Sequence, residues 1–146
     1  MKKILDWEIL FHEYLYEIRN KPFEWGKWDC CIASNEILKK ITGENLLPKS
    51  WKNWKTEEEA FKAIDKLSKG KGLAVAIENA MKKKKGWSSI EPNFVTKGDL
   101  VVFKNIDGDG TSVCAVHDGF GVIGISDEGL EIKQNVEITH AWRLSV

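Results

Sequence analysis

Apolar positions recur at helical spacing through the first part of the chain and change to short β runs after Gly98. Trp7, Leu10, Phe11, Tyr14, Leu15 and Ile18 fall at i, i+3, i+4, i+7 intervals. That stripe predicts an amphipathic helix, with Asp6 as N-cap and Pro22 just past its end. A second helix is predicted from Cys30, capped by Asp29 and closed by Gly43, with Cys30, Ala33, Ile37 and Ile41 on one face. Pro48, Trp51 and Trp54 form an irregular link. Thr56 and Glu59 read as a capping box opening a helix that holds Ala60, Phe61, Ile64 and Leu67 and stops near Gly70. A fourth helix is predicted from Leu73 to about Lys84, with Leu73, Ala76, Ile77, Ala80 and Met81 on one side.

The later segments read as strands: 99–103, 113–117, 120–126, 130–134 and 141–144. They are separated by turn signals at Asn105–Gly110, Asp118-Gly119 and Asp127–Gly129, and Asp118-Gly119 predicts a tight hairpin. Short strands spaced in this way predict a small antiparallel sheet. Helices followed by strands make the fold class α+β, one domain over residues 1–146 with a helical part (1–90) and a β part (98–146).

Composition narrows the function classes. Lys+Arg and Asp+Glu are both 22, a formal net charge of zero, whereas a dedicated nucleic-acid binder carries a basic excess. Hydrophobic content of 42% with 30% charge excludes a disordered chain. No apolar run approaches a membrane span, and the charges at Asp6 and Glu8 interrupt any signal-peptide core after Lys2 and Lys3. The three cysteines, Cys30, Cys31 and Cys114, are odd in number and include an adjacent pair. That is no disulfide framework, so reduced thiols in a cytoplasm are expected. Seven Trp against two Tyr predict an indole-rich core or groove. Lys82–Lys85 reads as a solvated helix end, because cations suit a helix C-terminus.

Cys30 is the first candidate for chemistry. A thiol in the first turn of a helix faces the positive end of the macrodipole, which lowers its pKa and favours the nucleophilic thiolate. Trp25, Gly26 and Trp28 precede it in an aromatic loop that is expected to wall a groove. Free cysteines are also small core hydrophobes, and indoles pack in cores, so both residue types have a plainer reading. A nucleophile needs a base, and the candidates are His117 at a strand end and His140 near the C-terminus, with His12 on the first helix. Zinc on Cys114, His117, Cys30 and Cys31 is disfavoured, since positions 114 and 117 of a strand point to opposite faces. No metal or organic cofactor is expected.

The string Phe23-Glu24-Trp25-Gly26-Lys27-Trp28-Asp29-Cys30, then Thr42-Gly43, Gly98-Asp99-Leu100-Val101-Val102-Phe103, Gly129-Leu130 and Ala141-Trp142-Arg143, resembles small bacteriophage and prophage proteins. These are similar to the NlpC-type cell-wall cysteine peptidases. The resemblance implies a papain-like α+β fold with Cys30 of the Asp29-Cys30 pair at the nucleophile position. It also implies a histidine at the start of the strand after Gly98–Phe103. That place falls near Thr111 or Ser112, and neither is histidine. His117 lies about 17 Å further along an extended strand, beyond the hydrogen-bond reach of about 3 Å that a base requires.

Two functions therefore stand at this stage. One is a peptide- or protein-binding module with a degenerate catalytic site, using Trp25, Gly26, Trp28, Asp29 and Ser112. Its expected partner is a peptide, a peptidoglycan fragment or a phage tail protein, with no nucleic acid and no membrane insertion, in the cytoplasm or on the virion. The other is a cysteine hydrolase acting on cell-wall peptides through Cys30, with His117 or His140 as base.

Overall fold

The computed structural model describes residues 2–106 and 110–145, so the centre of the predicted 105–110 turn, Asp107–Asp109, lies outside the described residues. The chain runs α1 (Trp7–Ile18), α2 (Cys30–Thr42), α3 (Glu57–Ser68), α4 (Leu73–Met81), β1 (Trp87–Ile90), β2 (Leu100–Asn105), β3 (Ser112–Val116), β4 (Val122–Ser126), β5 (Gly129–Lys133) and β6 (Val136–Leu144), with 3-10 turns at Lys49–Lys52 and Pro92–Phe94. It is a mixed α+β fold with four α-helices and antiparallel sheets among the described residues.

Local sequence explains the helix ends, with one correction. Asp29 is extended and its side chain accepts from the Ile32 amide, while Gly43 closes α2 in the left-handed region, its N–H donating to the Lys39 carbonyl. Thr56 caps α3 by accepting from the Glu59 amide, and Glu59 in turn accepts from Lys55 rather than from Thr56, a box shifted by one residue. Asp6 occupies the N-cap position of α1 but makes no side-chain cap. Its backbone is left-handed, with φ at 62°, rather than in the extended conformation that a capping side chain uses.

The strands form two sheets instead of the single one predicted. One is four-stranded in the order β1-β6-β2-β3, and the other is the β4-β5 hairpin. The turn at Asp118 exists, with its N–H donating to Gly121, but the pairing beyond it reduces to one bridge between His117 and Val122. β2 lies in the middle of the larger sheet and is buried on both faces. Leu100 and Val102 join Cys114, Val116 and Trp142 in the main core with α2, whereas Val101 and Phe103 join Ala115, Val122 and Ala141 in a second cluster. That two-sided burial is why the run Leu-Val-Val-Phe shows no polar alternation.

β6 begins five residues earlier than its pattern predicts, and β1 has no counterpart in the predicted elements. A bulge explains the first: the register shifts between Val102 and Phe103, which pair with His140 and Ile138. Thr139 is the extra residue, its hydroxyl donating to the Val102 carbonyl. Val136 and Ile138 therefore share a face with Ala141, an odd spacing that hides the strand from a search for alternation. β1 is an edge strand whose two central positions are serines, Ser88 and Ser89, paired with Arg143 and Trp142.

A cleft at the start of helix α2

Asp29 organises the site. It is 1% exposed, and its carboxylate accepts three hydrogen bonds: Ile32 N at 3.0 Å, Gly26 N at 3.1 Å and Trp54 Nε1 at 2.6 Å. One side chain thus fixes the first turn of α2, the aromatic loop and the link between α2 and α3. Charge-assisted bonds of this kind are stronger than neutral ones. Gly26 completes the junction. Its φ is +79°, and a Cβ there would overlap the Trp54 carbonyl oxygen. Gly26→Ala is expected to destabilise the fold by about 2–3 kcal/mol. Urea unfolding measures this, and a loss below about 0.5 kcal/mol would contradict the tight loop.

Trp51 and Trp54 pack with ring centroids 5.5 Å apart, and both are buried, as is Trp28. Lys21 Nζ sits 4.0 Å over the Trp28 ring. These indoles are core. Trp25 is half-buried, edge-on to Phe23.

Beside this junction lies a cleft of about 230 Å³. Cys30 lines it together with Phe23, Trp25, Phe61, Ile64 and Ser112, and Asp29, Cys31 and Cys114 also touch it. Most of the wall is apolar, with Glu57, Thr111 and Ser112 supplying polar atoms. Of the sequence-selected residues, Trp25, Asp29, Cys30 and Ser112 meet here. Gly26, Trp28, His117 and His140 do not line the cleft. Gly26 and Trp28 instead line a separate hollow with Tyr14, Lys21, Ile32 and Glu36.

The histidines are placed elsewhere for clear reasons. Thr111–Cys114 line the cleft at the start of β3, whereas His117 lies past the other end of that strand. Its Nδ1 accepts from Gly119 N at 3.0 Å, a turn-holding role, and burial pushes its pKa down. His140 is exposed, stacked on Trp142 and paired through Nδ1 with the Thr139 hydroxyl. Ser112 opens β3 at the place where the resemblance implies a histidine.

The surroundings of the Cys30 thiol oppose the field of the helix start. The Cys30 pKa is pushed up to about 12, first by burial and then by the neighbouring Cys114 and Asp29. Lys133 and the Ile125 backbone pull it down, but not enough. The field of a helix N-terminus, worth roughly 0.3–1 kcal/mol at a typical site, is outweighed by loss of solvent and by the Asp29 carboxylate. Cys31 is also pushed well above the ordinary thiol range, first by its hydrogen bond with Cys114 and then by burial. Sequence reasoning left the role of Cys31 undecided, because nothing local brings Cys114 to it.

A protein-family profile described as "Domain of unknown function (DUF6950)" matches residues 2–144. The chain belongs to this family. The match spans both core clusters and all ten helices and strands described above, so the cleft and the Asp29 junction lie within the family's extent. No curated protein matches the chain. Among the described residues no helix is long and apolar enough to cross a membrane, and no group of His, Cys, Asp and Glu is placed to hold a metal ion.

Proposed function

We propose that this member of the DUF6950 family is a divergent NlpC-type, papain-like-fold protein of phage type, cytoplasmic or virion-associated. In this reading its cleft beside Cys30 binds a peptide segment without hydrolysing it. The observation that carries the proposal is an apolar cleft beside Cys30 with no histidine among its lining residues, and burial that pushes the thiol pKa up supports it. A helix opening on Asp-Cys and packed against an antiparallel sheet supports the fold reading. At about 230 Å³ the cleft is smaller than the roughly 300–1,000 Å³ typical of drug-sized ligand sites, which favours one apolar side chain of a peptide over a glycan. Trp25 and Phe61 provide rigid apolar contact, and Ser112 and Thr111 provide hydrogen-bonding partners for a backbone.

Titration with soluble peptides released from peptidoglycan, followed by Trp fluorescence, tests this reading. Saturable binding is expected, with affinity retained in Cys30→Ser and reduced about tenfold or more in Phe61→Asp, whose ring is 43% exposed at the cleft. Alkylation of Cys30 by iodoacetamide in the folded protein is expected to be slow at neutral pH and to rise about tenfold per pH unit while the fold persists, without a plateau near neutrality. Cleavage of the peptides that Cys30→Ser abolishes, or a labelling plateau below pH 7, would establish the hydrolase instead. Absence of saturable binding would remove the module reading.

A further inference from the structure

Cys31 and Cys114 are 83 positions apart in the chain, yet their sulfurs lie 3.3 Å from one another. Cys31 sits in the first turn of α2, and Cys114 is the central residue of β3, paired with Val102 on the adjoining strand. Both are buried, at 8% and 1% exposure, and both touch the cleft. Ser34 Oγ is 3.9 Å from the Cys114 sulfur on the other side. Both sulfurs are held by regular secondary structure inside the main core, so their proximity is fixed by the packing of α2 on the sheet. Closing the pair to a bonded distance of about 2.05 Å needs a shift of roughly 1.3 Å shared between two side chains.

We infer that Cys31 and Cys114 form an oxidisable thiol pair that a peroxide entering through the cleft converts to a disulfide, with Cys30 left as the free thiol. The step balances with hydrogen peroxide as oxidant. One sulfur, as thiolate, attacks a peroxide oxygen; the O–O bond breaks, water leaves after protonation, and a sulfenic acid remains. The second sulfur then attacks the first, the S–S bond forms, and the sulfenic oxygen departs as a second water with the remaining proton. Two thiols lose two electrons and two protons in all, and the peroxide is reduced to two waters. The reaction joins the first turn of α2 to the middle of β3 and so fixes the back of the cleft in place. It stands whether or not the cleft binds a peptide.

Only a thiolate attacks, and burial with the Cys114 contact holds the Cys31 pKa up. Oxidation is therefore expected to be slow at neutral pH and faster in mildly alkaline buffer.

The test treats the folded full chain with hydrogen peroxide, traps remaining thiols by alkylation in denaturant, and maps the peptides by mass spectrometry. The expected product has lost two hydrogens, carries a Cys31–Cys114 cross-link and is alkylated once, at Cys30. Dithiothreitol restores all three thiols. Cys30→Ser is expected to give the same cross-link, and Cys114→Ser to give none. Oxidation in urea provides the control in which pairing loses this preference. A cross-link through Cys30, an over-oxidised Cys30 with Cys31 and Cys114 still alkylable, or no change in thiol count after the urea control has reacted would each overturn the proposal. The wild-type map and Cys30→Ser decide the question even if Cys114→Ser does not fold.

Discussion

Asp29→Ala is expected to lower stability by about 4 kcal/mol and the melting temperature by roughly 10 °C. The wild-type carboxylate is buried and satisfies three donors from three different segments: the Ile32 amide, the Gly26 amide and the Trp54 indole. Loss of an N-cap alone costs about 1 kcal/mol, and each buried donor left without a partner costs about 1–3 kcal/mol more. Asn at this position recovers only part of the loss. Its carbonyl oxygen can still cap Ile32, but its NH₂ group then faces the Gly26 N–H and Trp54 Nε1–H, setting donors against donors. The expected order is therefore wild type above Asp29→Asn above Asp29→Ala, measured by urea or thermal unfolding. Equal stability of the three proteins would show that Asp29 is not the junction described. The same substitution should also loosen the cleft, since Trp25 and Trp54 are positioned through this carboxylate.

Arg143→Met is expected to cost about 3 kcal/mol, through Asp99 rather than through its own contacts. Asp99 is fully buried at the entry to β2. Its two oxygens accept from Arg143 Nε at 3.0 Å and Nη2 at 2.8 Å, and Oδ2 also accepts from Thr96 N at 2.8 Å. Arg143 Nη2 further donates to the Phe94 carbonyl and ties down the 3-10 turn before the strand. Removing the guanidinium leaves a buried carboxylate without its hydrogen-bonded partner, with only the Lys3 ammonium still near it, and breaking a buried pair in a fully closed site costs about 3–5 kcal/mol. The low end applies here because the Arg143 side chain is 36% exposed and solvent reaches its place. Arg143→Lys should recover less than half, as an ammonium cannot reproduce the planar fork. The double variant Asp99→Asn/Arg143→Met should be more stable than Arg143→Met alone, because it carries no buried charge. Additive losses in that double-mutant cycle would contradict the pairing.

The helices were largely legible because the signals that define them are local. The stripe from Trp7 to Ile18, the Asp29 and Gly43 caps and the Thr56 cap are each contained within about four residues of one another or of the helix they close. Asp6 failed as a cap because its own backbone is left-handed rather than extended. The β part was legible in its strands but not in their arrangement. The bulge at Thr139 broke the period of β6, the two serines of β1 gave no apolar signal, and β4-β5 separated from the larger sheet. Of the candidate site, Cys30, Trp25, Asp29 and Ser112 line the cleft, while Gly26 and Trp28 line a separate hollow.

By itself the sequence determined the α+β class, the helix that opens on Asp-Cys and the serine at the start of β3, all properties of residues near each other in the chain. Tertiary structure alone decided that burial pushes the Cys30 pKa up, that Cys31 meets Cys114, and that Asp99 pairs with Arg143. The reason is physical. A thiol's acidity, a sulfur–sulfur contact and a buried ion pair depend on solvent exclusion and on partners 44 or more positions away, and only the packed fold supplies either.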